Sequence, residues 1–280
     1  MPELPEVETM CRGIDGVIDS RITKAEWPRN RRLKPSTVVP TRAAFSRRVK
    51  GRIITAIQRM GKRIVLILDD DWRIVFEPRM TGLALVADPP TDEHLRLSLH
   101  LRGGKVSLLM FWDQRGLSTL RLLSPEEFGK VLGPAQLGPD ALRISVRQLR
   151  ETFGKSRRAI KVALLDQRCV AGIGNLYASE ILFEAKVDPR RRCDLLTARQ
   201  WSRIHTAISS VLVEAVSYEG STLSDGTYRN ALNQTGDYQN HHRVYDLAGQ
   251  ICCGCEGDEI RRIVQAQRST FFCPTCQRMP

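Results

Sequence analysis

Two groups of residues in this sequence have the types and spacing to do chemistry. The first is Met1-Pro2-Glu3. Initiator methionine is usually trimmed when a small residue follows, and trimming would leave Pro2 with a free secondary amine, which no other residue type supplies. Such an amine can attack an electrophilic sugar carbon and form an iminium, as catalytic lysines do with carbonyls. Glu3, one residue away, is placed to manage a proton. A structural reading also exists: Pro5 opens a helix, with Glu6 and Glu8 in its positive first turn. That reading accounts for Pro5, Glu6 and Glu8 but leaves Pro2 and Glu3 unexplained.

The second group is Cys252-x2-Cys255-x17-Cys273-x2-Cys276. Two Cys-x-x-Cys knuckles offer four thiolates in a tetrahedron, the pattern of a zinc site. A tail this short buries little apolar surface, so the metal would supply its folding energy. Four thiolates leave zinc no open position, which makes the site structural. They also leave no place for His241 or His242, and Cys253 is spare because its spacing to Cys255 is too short. Cys11, Cys169 and Cys193 are scattered and read as small buried hydrophobes. Between the knuckles, Arg261-Arg262 and Arg268 form a basic hairpin able to grip phosphates, or else a solvated one.

Three further positions carry weaker signals. Gly172-Ile173-Gly174-Asn175 is a tight turn that delivers Asn175 to a helix N-terminus, where backbone N–H groups suit a phosphate. Taken alone it is an ordinary helix–turn–helix corner. Lys62 sits in a tight turn between two strands, and Lys161 precedes the glycine turn. Each alone reads as a surface lysine.

The elements that must position these residues follow from pattern. A first helix spans about 6–16. Residues 52–57 and 64–68 read as strands flanking Met60-Gly61-Lys62-Arg63. His94 to Leu101 alternates cleanly, and Gly103-Gly104 reads as a hairpin turn into 106–111. Several short strands over 17–123 predict an antiparallel sandwich or barrel. Ser124-Pro125-Glu126-Glu127 is a helix start. Helices follow over 146–152, 159–165, 178–184 and 198–218, with a linker at 133–139. Residues 220–240 are polar and aperiodic, a long loop of the kind that usually has a function. The predicted domains are therefore 1–123, 124–240 and 241–280.

At 280 residues and 42% hydrophobic, the chain can build real cores. No stretch approaches the roughly 20 apolar residues of a membrane span, and no signal peptide precedes the fold. The expectation is a soluble cytoplasmic protein. The net charge of +12 is concentrated: 14 Lys and Arg lie between Arg21 and Arg63 against one acid, Glu26. A block of this kind favours a polyanion partner, most simply nucleic acid.

Together these residues resemble the formamidopyrimidine branch of the Fpg/Nei family of bifunctional bacterial DNA glycosylases, from Pro2 to Gln277. The start Pro2-Glu3-Leu4-Pro5-Glu6-Val7-Glu8-Thr9 looks like that branch, the stretch around Asn175 is similar to its helix–two-turns–helix motif, and the tail resembles its zinc finger. The resemblance implies an α+β fold: an N-terminal helix and antiparallel β-sandwich, a helical domain, and a C-terminal zinc-finger hairpin. It implies Pro2 as nucleophile, Glu3 as proton donor and Lys62 as a phosphate contact that assists. Asn175 and Arg268 match two phosphate clamps, and Lys161 and Glu180 match further positions of the helical domain. Met80, Arg115 and Leu117 match the trio that fills the gap left by a flipped nucleotide. One structural zinc ion, damaged duplex DNA as partner, no small-molecule cofactor and a monomeric state follow. So does removal of oxidised purines with cleavage at the abasic site, in a bacterial cytoplasm beside the nucleoid.

The sequence departs from the family pattern in places. Leu117 stands where the family usually has Phe, and Glu77-Pro78-Arg79 replaces the usual His-x-Gly before Met80. The zinc hairpin is one residue longer, and the loop from Ser221 to Asn240 is poorly matched. These departures keep a second reading open, an oxidised-pyrimidine glycosylase of the endonuclease VIII type. A third is a non-catalytic DNA-damage-binding protein, against which the presence of Pro2 and Glu3 argues.

Overall fold

Pro5 and the spacing of Leu4, Val7 and Met10 make the first element, helix α1 (Leu4–Gly13). Those three side chains line one face and are fully buried. The structure, a computed structural model, describes residues 2–28, 37–255 and 257–279. Met1 and residues 29–36 of the basic block lie outside the described residues.

After α1 come β1 (Arg21–Glu26), β2 (Thr37–Val39), α2 (Arg42–Val49), β3 (Ile54–Met60), β4 (Arg63–Leu68), β5 (Arg73–Glu77) and β6 (Gly82–Leu85). Then follow β7 (Leu95–Arg102), β8 (Leu108–Asp113), β9 (Thr119–Leu123) and α3 (Pro125–Leu132). The strands form two sheets, ordered β1-β7-β8-β6 and β2-β9-β5-β4-β3. All pairings are antiparallel except β2 with β9. Their inner faces share one core with α1, built from residues such as Ile64, Leu66 and Phe76 on one sheet and Leu97, Leu99 and Phe111 on the other. The expected sandwich is therefore present.

Several local expectations are revised. Helix α2 has only Phe45 and Val49 buried, so its period is too sparse to read against the surrounding arginines. The β7–β8 connection is a longer loop than Gly103-Gly104 alone, with β8 starting at Leu108. Gly104 lies so close to Ser20 that a side chain there would meet its hydroxyl, and Lys105 N–H bonds the Gly16 carbonyl at 3.2 Å. Docking on that segment, rather than a two-residue turn, shapes the loop. The alternating polar residues of β7 are not all solvated: Arg96 and Ser98 are buried, whereas His100 is part-exposed.

The second half holds α4 (Val146–Phe153), α5 (Ile160–Leu164), α6 (Asn175–Glu184), α7 (Ala198–Ser217) and the hairpin β10 (Arg261–Gln265) and β11 (Arg268–Phe272). The chain divides into two compact units, Met1–Gly133 with Tyr218–Gln239, and Pro134–Ser217 with Asn240–Pro280. The segment expected to close the helical domain at 220–240 thus belongs to the first unit. The cysteine-bearing tail is grouped with the helices.

Candidate functional site

In the first unit, Pro2 and Glu3 lead directly into α1 and both are buried. Glu3 N–H donates to Glu6 Oε2 at 2.8 Å, which caps the helix start. The other carboxylate oxygen, Glu6 Oε1, accepts the Ser221 N–H at 2.9 Å. One buried side chain therefore ties the backbone beside Pro2 to the segment 218–239. Gly220 stands at φ +78, and a Cβ there would lie 2.8 Å from Glu6 Oε1, so glycine alone permits this approach.

That segment is held by its own side chains rather than by a regular ladder. Tyr228 OH donates to the Glu219 carbonyl at 2.9 Å, and Asn230 Nδ2 to Glu219 Oε2 at 2.7 Å. Thr222 N–H donates to Gln239 Oε1 at 2.9 Å. Burial pushes the Tyr228 phenol well above its usual value, so it stays neutral and donates.

Lys62 sits in the two-residue turn between β3 and β4, where Gly61 takes φ +58 and Met60 pairs with Arg63. Arg59, two residues before Gly61 in β3, braces this turn. Its Nη1 donates to the Gly61 carbonyl at 3.1 Å, and its Nε meets Glu8 Oε2 of α1 at 2.8 Å. Burial works to raise the Glu8 carboxyl, but Arg59 and Arg12 outweigh it and hold it below the usual range. The helix that follows Pro2 and the turn that carries Lys62 are thus one braced piece.

Met80 is half-buried, and Arg115 and Leu117 are exposed, Leu117 at 38%. Arg79 takes φ +57 where the family pattern expects glycine, a conformation that costs most side chains free energy. The paired departure explains the exchange. Glu77 lies 3.2 Å from Arg79 and 3.3 Å from Arg63, its cross-strand neighbour, so its carboxylate is neutralised from both sides. The basic block is likewise less free than its count implies: Arg48 and Arg52 pair with Asp70, Arg59 with Glu8, and Arg63 with Glu77.

In the second unit, Asn175 opens α6 with Gly174 as its cap, as the glycine turn predicts. Lys161 is not at the surface. It is 0% exposed, and its Nζ donates to Asn175 Oδ1 at 2.6 Å, Thr270 Oγ1 at 2.8 Å and the Ser269 carbonyl at 2.9 Å. All three ammonium protons are used. Asn175 Nδ2 in turn donates to the Ser269 carbonyl at 3.0 Å. Lys161 therefore joins α5, α6 and β11 beneath the surface and orients the Asn175 amide. Arg268 is exposed beside the turn Ala266-Gln267, whose two residues both have positive φ. No ion pair engages it among the described residues.

Glu180 of α6 is fully buried and accepts the N–H groups of Arg243, Val244 and Tyr245 at 2.9, 3.0 and 2.8 Å. Burial pushes its carboxyl above the usual range against the pull of those donors. It anchors the chain as it enters the cysteine-bearing tail.

Cys252, Cys255, Cys273 and Cys276 place their Sγ atoms within 4.8 Å of one another. Cys252 and Cys276 are 3.8 Å apart, Cys255 and Cys273 3.7 Å. A tetrahedron with Zn–S of about 2.3 Å needs sulfurs about 3.8 Å apart, so the four fit one zinc ion. Gly254 N–H points at Cys252 Sγ at 3.3 Å and Cys276 N–H at Cys273 Sγ at 3.4 Å, donors that favour the thiolates. Cys253 is exposed and takes no part.

Comparison with known proteins identifies the assembly. The Formamidopyrimidine-DNA glycosylase N-terminal domain profile matches residues 1–120 and the Formamidopyrimidine-DNA glycosylase H2TH domain matches 137–227. The zinc finger found in FPG and IleRS matches 257–278. A Formamidopyrimidine-DNA glycosylase of Chloroflexus aurantiacus is 39% identical, the match covering 99% of this chain and 98% of the relative. The chain belongs to the formamidopyrimidine-DNA glycosylase family. A family member from Streptococcus pneumoniae is 35% identical over 99% of both chains. Among solved structures, the MutM (FPG) protein of Thermus thermophilus superposes with a TM-score of 0.85 at 34% identity, covering 99% of this chain and 98% of that one. A Lactococcus lactis FPG mutant in complex with Fapy-dG containing DNA gives 0.87 at 31% identity, covering 99% and 100%. As a formamidopyrimidine-DNA glycosylase, the protein is a DNA repair enzyme with a four-cysteine zinc finger. No helix among the described residues is long and apolar enough to cross a membrane.

Glu6, Arg59 and the depth of Lys161 escape the sequence reading. Glu6 had a local explanation as a first-turn acid, and its partner Ser221 lies 215 residues away. Arg59 was one of many arginines in a basic block.

Proposed function

We propose that this glycosylase removes oxidised purines, 8-oxoguanine and formamidopyrimidines, from duplex DNA and then cleaves the strand through an iminium on Pro2. The observation that carries the reading is the placement of Pro2 and Glu3 at the head of α1, braced through Arg59 to the Lys62 turn.

A base inside a duplex hides its C1′, so the nucleotide is flipped out, at a cost of a few kcal/mol. Met80, Arg115 and Leu117 fill the gap. Asn175 and Arg268 hold backbone phosphates, with Lys161 setting the Asn175 amide from below. With Met1 removed, the Pro2 nitrogen attacks C1′ and the base departs with the glycosidic electrons, protonated through Glu3. The attached Pro2 nitrogen then loses its N–H proton to Glu3, which passes it to O4′ as the sugar opens, leaving the iminium. The iminium acidifies C2′–H. Loss of that proton expels the 3′ phosphate, a second elimination expels the 5′ phosphate, and water releases the sugar aldehyde and restores the amine. Lys62 neutralises phosphate charge during these steps. The enzyme acts as a monomer on damaged duplex, without a small-molecule cofactor, in the bacterial cytoplasm.

Borohydride trapping tests the reading. Duplexes with 8-oxoguanine, a formamidopyrimidine or an abasic site should each yield an adduct mapping to Pro2. Folded enzyme with a free N-terminal proline and no adduct on any of them overturns it. Leu117 in place of an aromatic favours one second reading, an oxidised-pyrimidine preference, which thymine glycol in the same panel detects.

A further inference from the structure

Asp113 ends β8, is 0% exposed and faces Gly82 across the sheet. Its carboxylate reaches both loops that carry the gap-filling side chains. Oδ1 accepts the Thr81 hydroxyl at 2.6 Å and the Arg115 N–H at 3.2 Å, and Oδ2 accepts the Ser118 N–H at 2.8 Å. Thr81 Oγ1 closes the network by accepting the Arg115 N–H at 3.0 Å. Thr81 is the neighbour of Met80, and Ser118 the neighbour of Leu117. The Arg96 guanidinium, also buried, donates to the Asp113 carbonyl through Nε at 2.8 Å and through Nη2, which supplies compensating positive charge.

We propose that Asp113 is the positioning residue of the gap-filling trio, holding Met80, Arg115 and Leu117 in one arrangement so that nucleotide flipping is supported. The inference rests on the function proposed above. A carboxylate suits the task because it only accepts, and it offers enough lone pairs for one hydroxyl and two N–H donors at once. An amide at this position turns one of those contacts into donor against donor. Backbone N–H groups are fixed, so the loss falls on loop geometry rather than on a side chain that can rotate away. Arg115 and Leu117 are exposed and Met80 is half-buried, while the group that sets them is fully buried.

The test compares two substrates. Excision of 8-oxoguanine from duplex needs the gap filled; strand cleavage at an abasic site in a single-stranded oligonucleotide does not. Asp113→Asn should slow single-turnover duplex excision by about tenfold, the size of one lost buried hydrogen bond. It should also lower the fluorescence rise of 2-aminopurine placed beside the lesion. Single-strand cleavage should stay within about twofold, as expected when only flipping is impaired. Equal loss on both substrates, or loss on neither, overturns the proposal. If Asp113→Asn does not fold, Thr81→Val and Thr81→Ser decide: valine should reproduce the selective loss and serine should restore it, and equal behaviour of the two overturns the proposal. Wild-type enzyme inert on both substrates would overturn the proposed function itself, a separate outcome.

Discussion

Replacing Lys161 with methionine separates a residue that touches DNA from one that places another. Methionine keeps the apolar stem but removes the ammonium and its three hydrogen bonds, to Asn175, Thr270 and Ser269. The Ser269 carbonyl keeps a donor, Asn175 Nδ2. Asn175 Oδ1 and Thr270 Oγ1 lose a charged one. Hydrogen bonds to charged groups contribute about 1.5–3 kcal/mol each, so the variant should lose about 3–5 kcal/mol of stability. That corresponds to a melting point lower by roughly 10 °C. DNA affinity should fall about tenfold as the Asn175 amide loses its orientation. The salt dependence should not change, because a buried lysine releases no counterion. Arg268→Ala is the contrast: if Arg268 holds a phosphate as proposed, its removal should lower the slope of log K against log salt by about 0.9. Binding isotherms at several salt concentrations, with thermal melts, read both quantities. A slope reduced by about 0.9 in Lys161→Met with little loss of stability would refute the buried-brace reasoning.

Other expectations are narrower. Atomic emission should find one zinc per chain, and Cys255→Ser should lose the metal together with at least about tenfold in DNA affinity, since metal binding and folding of the tail are linked. Arg59→Met, which leaves Glu8 with Arg12 alone and releases the Gly61 carbonyl, should slow borohydride-trapped adduct formation about tenfold while leaving DNA affinity near wild type. An unchanged trapping rate counts against the brace. Burial holds the His242 imidazole down to about 4 from its usual 6.5. The unfolded chain then binds a proton that the folded one refuses, so stability is lost as pH falls below 6.5 and the loss levels off near 4. Between pH 7.5 and 5.0 this amounts to about 2 kcal/mol in urea melts, and His242→Phe should lack that share.

The parts of this site legible in the sequence are those whose geometry is local. Gly61 before Lys62 announces a two-residue turn, Gly174 announces the start of a helix at Asn175, and the two Cys-x-x-Cys knuckles fix sulfur spacing within a few residues. What escaped depends on distant partners. Lys161 looks like a surface lysine until β11, more than 100 residues later, supplies its acceptors. The segment after Tyr218 has no periodicity because it is held by Thr222, Tyr228 and Asn230 side chains rather than by a ladder. The basic block shows its charge in sequence but not its neutralisation, since Glu8, Asp70 and Glu77 all lie outside it. Helix α2 hides within the block because only two of its side chains need a core.

The bond from Ser221 to Glu6 also bears on the order of synthesis. Its two ends are 215 residues apart, and the chain leaves the first unit at Gly133 to return only at Tyr218. At about 5–20 residues per second, a ribosome needs roughly 10 to 40 s between making one end and the other. Throughout that interval Pro2 is already made, but Glu6 lacks its partner and the sandwich lacks Tyr228 and Ala231 from its core. Completion of the surroundings of Pro2 is therefore among the last events of translation, and a chain truncated before Ser221 carries Pro2 without the segment that fixes the helix behind it.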